Sequence, residues 1–460
     1  MTRFLLAALL AVSTVFAQAP LLEGDWAGTL QAGAARLRLV LHITKSEAGL
    51  AAKLDSVDQG AMGIPVTAVT QQGVEVRLEL RPLSASFAGR VNKEGTEIAG
   101  EWRQGGAALP LVFKRSEQAL ARPQEPKKPY PYLESEVVVE NKAGGVKLAG
   151  TLTTPKGNGP FPAVILLTGS GAQDRNESVF GHRPFLVLAD HLTRQGIAVL
   201  RTDDRGVGGS TGKLALATYE DLAGDVLALL EFLKARREID PKRIGLAGHS
   251  EGAAVGMVAA GRSVDVAFLI LMAGPGVTGE RLMYEQSKLV ARMPGGTERV
   301  AALNRKLQEA MFTAVKRDAD EKKLREAIKG FAAVLTEEDR AAAPMLMAAA
   351  EKQVPMMLTP GFRALLLFDP SAAIAKVKCP VMAMFGENDT QVPMALNLPP
   401  MEAALKASGN RDYAIAKLPA LNHLFQTSKT GLVTEYAAIE ETIAPEALKA
   451  VSSWILRRAR

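Results

Sequence analysis

Over the first hundred residues the chain alternates apolar and polar side chains with period two. Residues 36–43 alternate for most of their length and residues 74–80 throughout, as half-buried antiparallel strands do. Gly49, Asp58-Gln59-Gly60, Gln72-Gly73 and Asn92-Lys93-Glu94-Gly95 punctuate these runs as turns, and helical spacing is absent. Residues 20–115 therefore read as a small antiparallel β-domain, a barrel or a curved sheet. Residues 116–134, SEQALARPQEPKKPYPYLE, place Pro123, Pro126, Pro129 and Pro131 among Lys and Glu, the composition of an extended, semi-rigid linker.

Beyond the linker the period changes. Residues 136–139 and 148–152 predict an opening hairpin, and 163–167 is a continuous apolar run of buried-strand type. Thr218-Tyr219-Glu220-Asp221 starts a helix in the manner of a capping box, with Leu222, Val226, Leu229, Leu230 and Leu233 on one face. Buried strands alternating with amphipathic helices make 135–460 an α/β domain, a mostly parallel sheet covered on both faces. From about 277 to 371 the strand signal vanishes, which reads as an inserted helical cap. Seven of the 15 methionines fall there: Met283, Met293, Met311, Met345, Met347, Met356 and Met357. Methionine adapts to pocket walls, but at helical spacing its first reading is core.

The first 19 residues have a basic start, a short apolar middle and an A-x-A end, which predicts a secretory signal peptide rather than a membrane span of ~20 apolar residues. A secreted or periplasmic protein with no integral membrane segment after cleavage is expected. The single cysteine, Cys379, excludes an intramolecular disulfide and a multi-cysteine zinc site. The net charge of +6 comes from 55 basic and 49 acidic residues dispersed among one another, which argues against a nucleic-acid partner.

The chemistry concentrates at residues 243–256, where an apolar strand runs through Gly248-His249-Ser250-Glu251-Gly252 into a helix of small residues. G-x-S-x-G between a strand and a helix is a nucleophile elbow: the serine sits on a strained turn, its neighbours are glycine because segments crowd there, and the helix N-terminus favours developing negative charge. A serine needs a base, and in this arrangement acid and histidine follow it along the chain. Of five histidines, His42, His182, His191 and His249 precede Ser250; only His423 follows, in a loop after an apolar run at 414–418. For the acid, Asp389 closes the strand at 381–385 and is preferred over Glu387, Asp369 and Asp412. The oxyanion requires two N–H donors, assigned to the backbone of Glu251 and, in the loop after 163–167, to that of Ser170.

On these motifs, LLTGSGAQDR, DDRGVGGSTG at 203–212, GHSEG, GENDTQVP and NHLFQ in that order, residues 135–460 resemble the α/β-hydrolase superfamily in its dienelactone hydrolase and serine-peptidase-like branch. Thr168 stands where many relatives carry histidine. The period-two region, with Gly24-Asp25-Trp26 echoed by Gly100-Glu101-Trp102, resembles the lipocalin-like β-domain ahead of some bacterial secreted hydrolases. The resemblance implies a serine esterase acting on small-molecule carboxylic esters without metal or cofactor. A serine peptidase of aminopeptidase or prolyl-peptidase type, anchoring a substrate amine on an acid such as Glu280 or Glu285, is the alternative, with acyltransferase or thioesterase activity behind it.

Overall fold

The computed structural model describes residues 22–458 except 34, 47–48, 57–60, 116–121, 293–296, 318–319, 334 and 342. The expected signal peptide, the start of the linker and Met293 lie outside the described residues. The chain forms two compact units, Met1–Ala119 and Leu120–Arg460.

In the first unit, nine strands form one antiparallel sheet: β1 (Gly24–Ala32), β2 (Ala35–Ser46), β3 (Gly49–Ser56), β4 (Ala61–Val66), β5 (Ala68–Gln72), β6 (Glu75–Leu80), β7 (Ala85–Val91), β8 (Glu97–Gln104) and β9 (Ala107–Arg115). Their order, β4-β3-β2-β1-β9-β8-β7-β6-β5, wraps into a nearly closed barrel. Alternation decides which side chains point inward: Val76, Leu78 and Leu80 of β6 are buried while Glu75, Arg77 and Glu79 are exposed. Both Gly-x-Trp motifs put their indole in the core. Trp26 Nε1 donates to the Leu22 carbonyl at 2.8 Å, and the Arg115 guanidinium lies 4.3 Å from the Trp26 ring centroid while bonding the carbonyls of Gly95 and Glu23. Trp26, Trp102, Phe87 and Phe113 fill the interior, each large apolar side chain contributing roughly 1.5–3 kcal/mol on burial.

The second unit carries an eight-stranded sheet ordered β10-β11-β13-β12-β14-β15-β16-β17, with β10 (Leu133–Asn141), β11 (Val146–Thr154), β12 (Phe161–Leu167), β13 (Ala198–Thr202), β14 (Ile239–His249), β15 (Leu269–Met272), β16 (Val381–Gly386) and β17 (Tyr413–Leu418). The β10–β11 and β11–β13 pairs are antiparallel and all others parallel. Helices α1 (Pro184–Arg194), α2 (Tyr219–Lys234) and α3 (Glu251–Arg262) follow in sequence, and the cap contributes α4 (Gly279–Gln286), α5 (Glu298–Lys316), α6 (Glu321–Ala333), α7 (Ala343–Met357), α8 (Pro360–Leu367) and α9 (Pro370–Ile374). Then come α10 (Met394–Ala407), α11 (Val433–Tyr436) and α12 (Pro445–Arg458). One apolar layer, with α2, α3 and α10, covers one face of the sheet, and a second, with α1 and α12, covers the other.

The expected capping box is present: Thr218 N donates to Asp221 Oδ2 at 2.8 Å and Asp221 N to Thr218 Oγ1 at 3.3 Å. From Arg122 onward the proline-rich segment departs from a free spacer. Arg122 bonds the carbonyls of Gly181, Ala437 and Ile439, Gln124 that of Ile443, and Tyr132 OH the carboxylate of Asp190. These side chains satisfy carbonyls of the 437–443 loop that no strand or helix pairs. In the cap, Met311 and Met357 are core, Met283 and Met347 pack against it, and Met345 and Met356 are exposed.

Because β13 and β14 lie on opposite sides of β12, the direction of winding reverses there. The loops leaving the carboxyl ends of β12 and β14 splay apart at such a point and open a crevice.

Candidate active site

Ser250 stands between the end of β14 and the start of α3 with φ 53° and ψ −116°. That backbone costs a non-glycine residue about 1–3 kcal/mol and persists only where the surroundings over-determine it. They do so here. A Cβ on Gly248 would meet the Gly252 carbonyl oxygen at 2.2 Å, and one on Gly252 the Leu167 carbonyl oxygen at 2.2 Å, so both flanking residues must be glycine. Ser250 N–H is held by the Met272 carbonyl at 2.8 Å.

Asp389 and His423 are brought together by adjacent parallel strands. β16 and β17 pair in register from Val381–Tyr413 to Gly386–Leu418, so the loops that leave them start side by side. His423 Nδ1 lies 2.7 Å from Asp389 Oδ2, both residues buried. The other carboxylate oxygen of Asp389 accepts from the N–H groups of Gln391 and Val392 at 2.8 Å. Asn422 Oδ1 accepts from Leu424 N and Gln426 N at 3.0 Å, which folds the NHLFQ segment into a tight turn around the histidine. The ring centroids of His423 and His249 are 4.8 Å apart, so the imidazole stands against the residue preceding Ser250.

The other candidates are occupied elsewhere. Glu387 is exposed, Asp369 caps α9 through Ser371 N at 2.9 Å, and Asp412 pairs with Arg458. His182 is bonded to Thr442 Oγ1 and the Tyr436 carbonyl, and burial lowers it to about 4; His191 meets Ser452. Glu280 is bound by Lys316 and Tyr284, and Glu285 by Lys288.

The loop after β12 is braced by the DDRG turn, to which the sequence alone assigns no chemistry, and by Glu177. Asp204 accepts from Thr168 Oγ1 at 2.7 Å and Gln173 N at 2.9 Å; Asp203 accepts from Arg175 through its N–H and guanidinium. The DDRG motif thus holds the QDR motif. Gly169 N–H is committed to Glu177 Oε1 at 2.7 Å, leaving Ser170 as the next amide along the loop. Burial, with the charges of Glu177 and Glu251 adding to it, raises Asp204 to about 7. Burial also raises Glu251, whose carboxyl meets the Tyr219 hydroxyl.

A cavity of about 460 Å³ opens beside this loop. Its lining includes Gly169, Ser170, Glu251 and Gly252 and is largely apolar, with Leu222, Val226 and Leu229 of α2 and Met356, Phe362 and Leu365 of the cap. Ser250 and His423 are not in its lining; it reaches the elbow through the residues on either side of the expected oxyanion position. Asp204 and Glu251 stand in its wall. Among the described residues no cluster of His, Cys, Asp and Glu suited to a metal ion occurs.

Residues 183–361 match the family model described as serine aminopeptidase, S33. Esterase EstD of Thermotoga maritima is 30% identical over 183 residues, 40% of this chain and 42% of the relative. An uncharacterised protein of Mycobacterium tuberculosis is 37% identical over 120 residues, 26% of this chain and 38% of the relative. The matches therefore span about two fifths of these relatives. Among solved structures, an esterase of Pyrococcus furiosus (18% identity, TM-score 0.44, 75% of this chain and 99% of that one) and a proline iminopeptidase of Mycobacterium smegmatis (18%, 0.44, 71% and 99%) are similar. With its sheet order and its motifs in sequence, the second unit has the architecture of the α/β-hydrolase fold, and it follows an antiparallel barrel-like domain along the chain.

Proposed function

We propose that the protein is a secreted or periplasmic serine hydrolase that cleaves carboxylic esters through an acyl-enzyme. Ser250 Oγ attacks the ester carbonyl while His423 Nε2 takes its proton, and Asp389 fixes the His423 tautomer and stabilises the imidazolium. The tetrahedral oxyanion is met by the N–H groups of Glu251 and Ser170; its collapse breaks the ester C–O bond as His423 returns the proton to the leaving alcohol. Water, deprotonated by His423, then releases the acid from Ser250. The observation that carries the reading is the 2.7 Å contact between His423 and Asp389, with the His423 ring 4.8 Å from that of His249, the residue before a serine held at φ 53°.

The apolar cavity supports an acyl group of short to medium length, lined by α2 and the cap, with its carbonyl beside Ser170 and Glu251. Peptide hydrolysis is the second reading, kept by the description of the matching family. Against it, Glu280 and Glu285, the acids in the cap expected to anchor a substrate amine, are already bound by lysines.

Initial rates on p-nitrophenyl esters of increasing acyl length, beside alanine and proline p-nitroanilides, test the proposal with Ser250→Ala as control. Ester turnover that the substitution lowers about 10⁴-fold or more is expected. Ordinary turnover by Ser250→Ala removes the nucleophile, and an equal specificity constant on an anilide replaces esterase with peptidase.

A further inference from the structure

His249, the second residue of GHSEG, is buried between two acceptors. Its Nδ1 lies 2.8 Å from Glu177 Oε1 and its Nε2 2.9 Å from the backbone oxygen of His423. A carbonyl oxygen only accepts, and Glu177 Oε1 accepts a second time from Gly169 N–H at 2.7 Å, as a carboxylate oxygen with two lone pairs does. With Glu177 a carboxylate, both ring nitrogens of His249 donate, and a ring that donates twice is an imidazolium.

The bonds join three segments far apart in sequence. Gly169 begins the turn of the loop that carries Ser170; His249 precedes Ser250; His423 is the base. Glu177 is buried at φ 52°, a conformation a side-chain-bearing residue keeps only where its contacts hold it. The Glu177 carboxylate also answers a problem of charge. An uncompensated cation with its ring 4.8 Å from that of His423 would oppose protonation of the base, and the pair with Glu177 is neutral.

We propose that Glu177 and His249 are positioning residues: a buried carboxylate–imidazolium pair that locks the oxyanion loop, the nucleophile elbow and the base-bearing loop in one register. The inference rests on the reading of Ser250, Asp389 and His423 as the reacting groups. Burial alone lowers a histidine, but the charge and hydrogen bond of Glu177, the His423 carbonyl and the charge of Asp389 together hold His249 above its ordinary value. The titratable groups acting on the pair are Asp389 from the loop after β16, whose charge reaches His249, and Asp204 from the loop after β13, which feels Glu177; beyond them, Glu251 of α3 acts on Asp204, and Tyr436 of α11, which burial raises, lies against Asp389, while the His249 ring stands against that of His423 from the loop after β17.

The test uses the full chain labelled with ¹⁵N-histidine. At pH 7 the spectrum is expected to show two histidines protonated at both ring nitrogens, His42, held in the barrel between Asp25 and Asp55, and His249; the His249 signal is retained in Ser250→Ala and absent from His249→Gln, where that of His42 remains. In His249→Gln, kcat on the best ester is expected to fall about 10- to 100-fold, the scale of a small misplacement of reacting groups, with KM changed less than about twofold. Wild-type kcat should decline on the alkaline side as His249 loses its proton above the ordinary histidine range, and that decline should be missing from the variant. Glu177→Gln should convert His249 to the neutral ring and lower kcat in the same way. A neutral His249 in the wild type at pH 7, or a folded His249→Gln with unchanged kcat and an unchanged alkaline limb, overturns the proposal. If His249→Gln does not fold, the wild-type spectrum and Glu177→Gln decide it. Failure of the triad reading is told apart because it appears as retained activity in Ser250→Ala, whatever the protonation of His249.

Discussion

His42 in the barrel and His249 beside the elbow are both held between two acceptors, and the two units use them differently. His42 Nδ1 meets Asp25 at 2.7 Å and Nε2 meets Asp55 at 2.8 Å, which raises it to about 9, the Asp55 hydrogen bond being the largest cause. It joins β1, β2 and β3, three neighbouring strands, and its side chain is 38% exposed. His249 is buried and joins loops whose sequence positions differ by up to 254 residues. One histidine fastens a local meander that strand pairing already holds. The other fastens loops beyond the ends of paired strands, and those loops carry the candidate chemistry. A protonated histidine therefore contributes stability in the first unit and geometry in the second.

Disrupting the second unit should have the larger effects. After the loss expected for Ser250→Ala, Ser170→Pro should be next: it deletes the N–H proposed for the oxyanion without touching the nucleophile, and kcat on the best ester should drop about 10²- to 10³-fold. Retention of wild-type kcat by a folded Ser170→Pro would transfer the donor role to another amide. Phosphonate labelling of Ser250 should persist at a reduced rate in the same variant.

Met356→Trp probes the cavity from the cap side, where Met356 is 49% exposed and lines the wall along with residues of α2. A bulkier ring there should shorten the longest acyl chain accepted, with specificity constants for the longer esters falling about tenfold, about 1.4 kcal/mol, while acetate is little affected. An unshifted length profile places the acyl group elsewhere.

His42 provides the smallest effect and the sharpest contrast. Its folded value of about 9 lies above the ordinary 6.5 of a free histidine, so its contribution is fully present below pH 6.5 and is lost as the pH rises through 9. With more than a third of the side chain in solvent, the stabilisation is screened to roughly 1 kcal/mol or less. The barrel's thermal transition, followed by tryptophan fluorescence, should fall between pH 7 and pH 9.5 in the wild type and stay level in His42→Gln, with ester turnover per folded molecule unchanged. Equal loss of activity in the two would erase the distinction between the units.

Much of the fold was legible because it is written in local periodicity. Alternation at 74–80 faithfully separates the buried from the exposed side chains of β6, and the apolar run at 163–167 becomes the central strand β12. The elbow was legible for a steric reason, since Gly248 and Gly252 are demanded by backbone approaching within 2.2 Å of where a Cβ would stand. Asp389 was preferred over Asp369 and Asp412 from its place after a buried strand, and the 2.7 Å contact with His423 arises because β16 and β17 are neighbours in register.

Glu177 escaped because an isolated acidic residue in a polar loop carries no local signature, and the DDRG motif marked Asp204 as part of a turn without naming what it holds. Their roles exist only through partners 72 and 36 residues away, His249 and Thr168. The tethering of 122–132 was equally invisible: proline spacing reports backbone stiffness, whereas Arg122 and Gln124 act on carbonyls more than 300 residues distant. Sequence by itself determined what each segment must become and which side chain sits on its strained turn, since strand period, helix caps and glycine contacts are short-range properties. Tertiary structure alone decided which carboxylates neutralise which histidines and where the cavity opens, because both depend on loops from separate strands converging at one edge of the sheet.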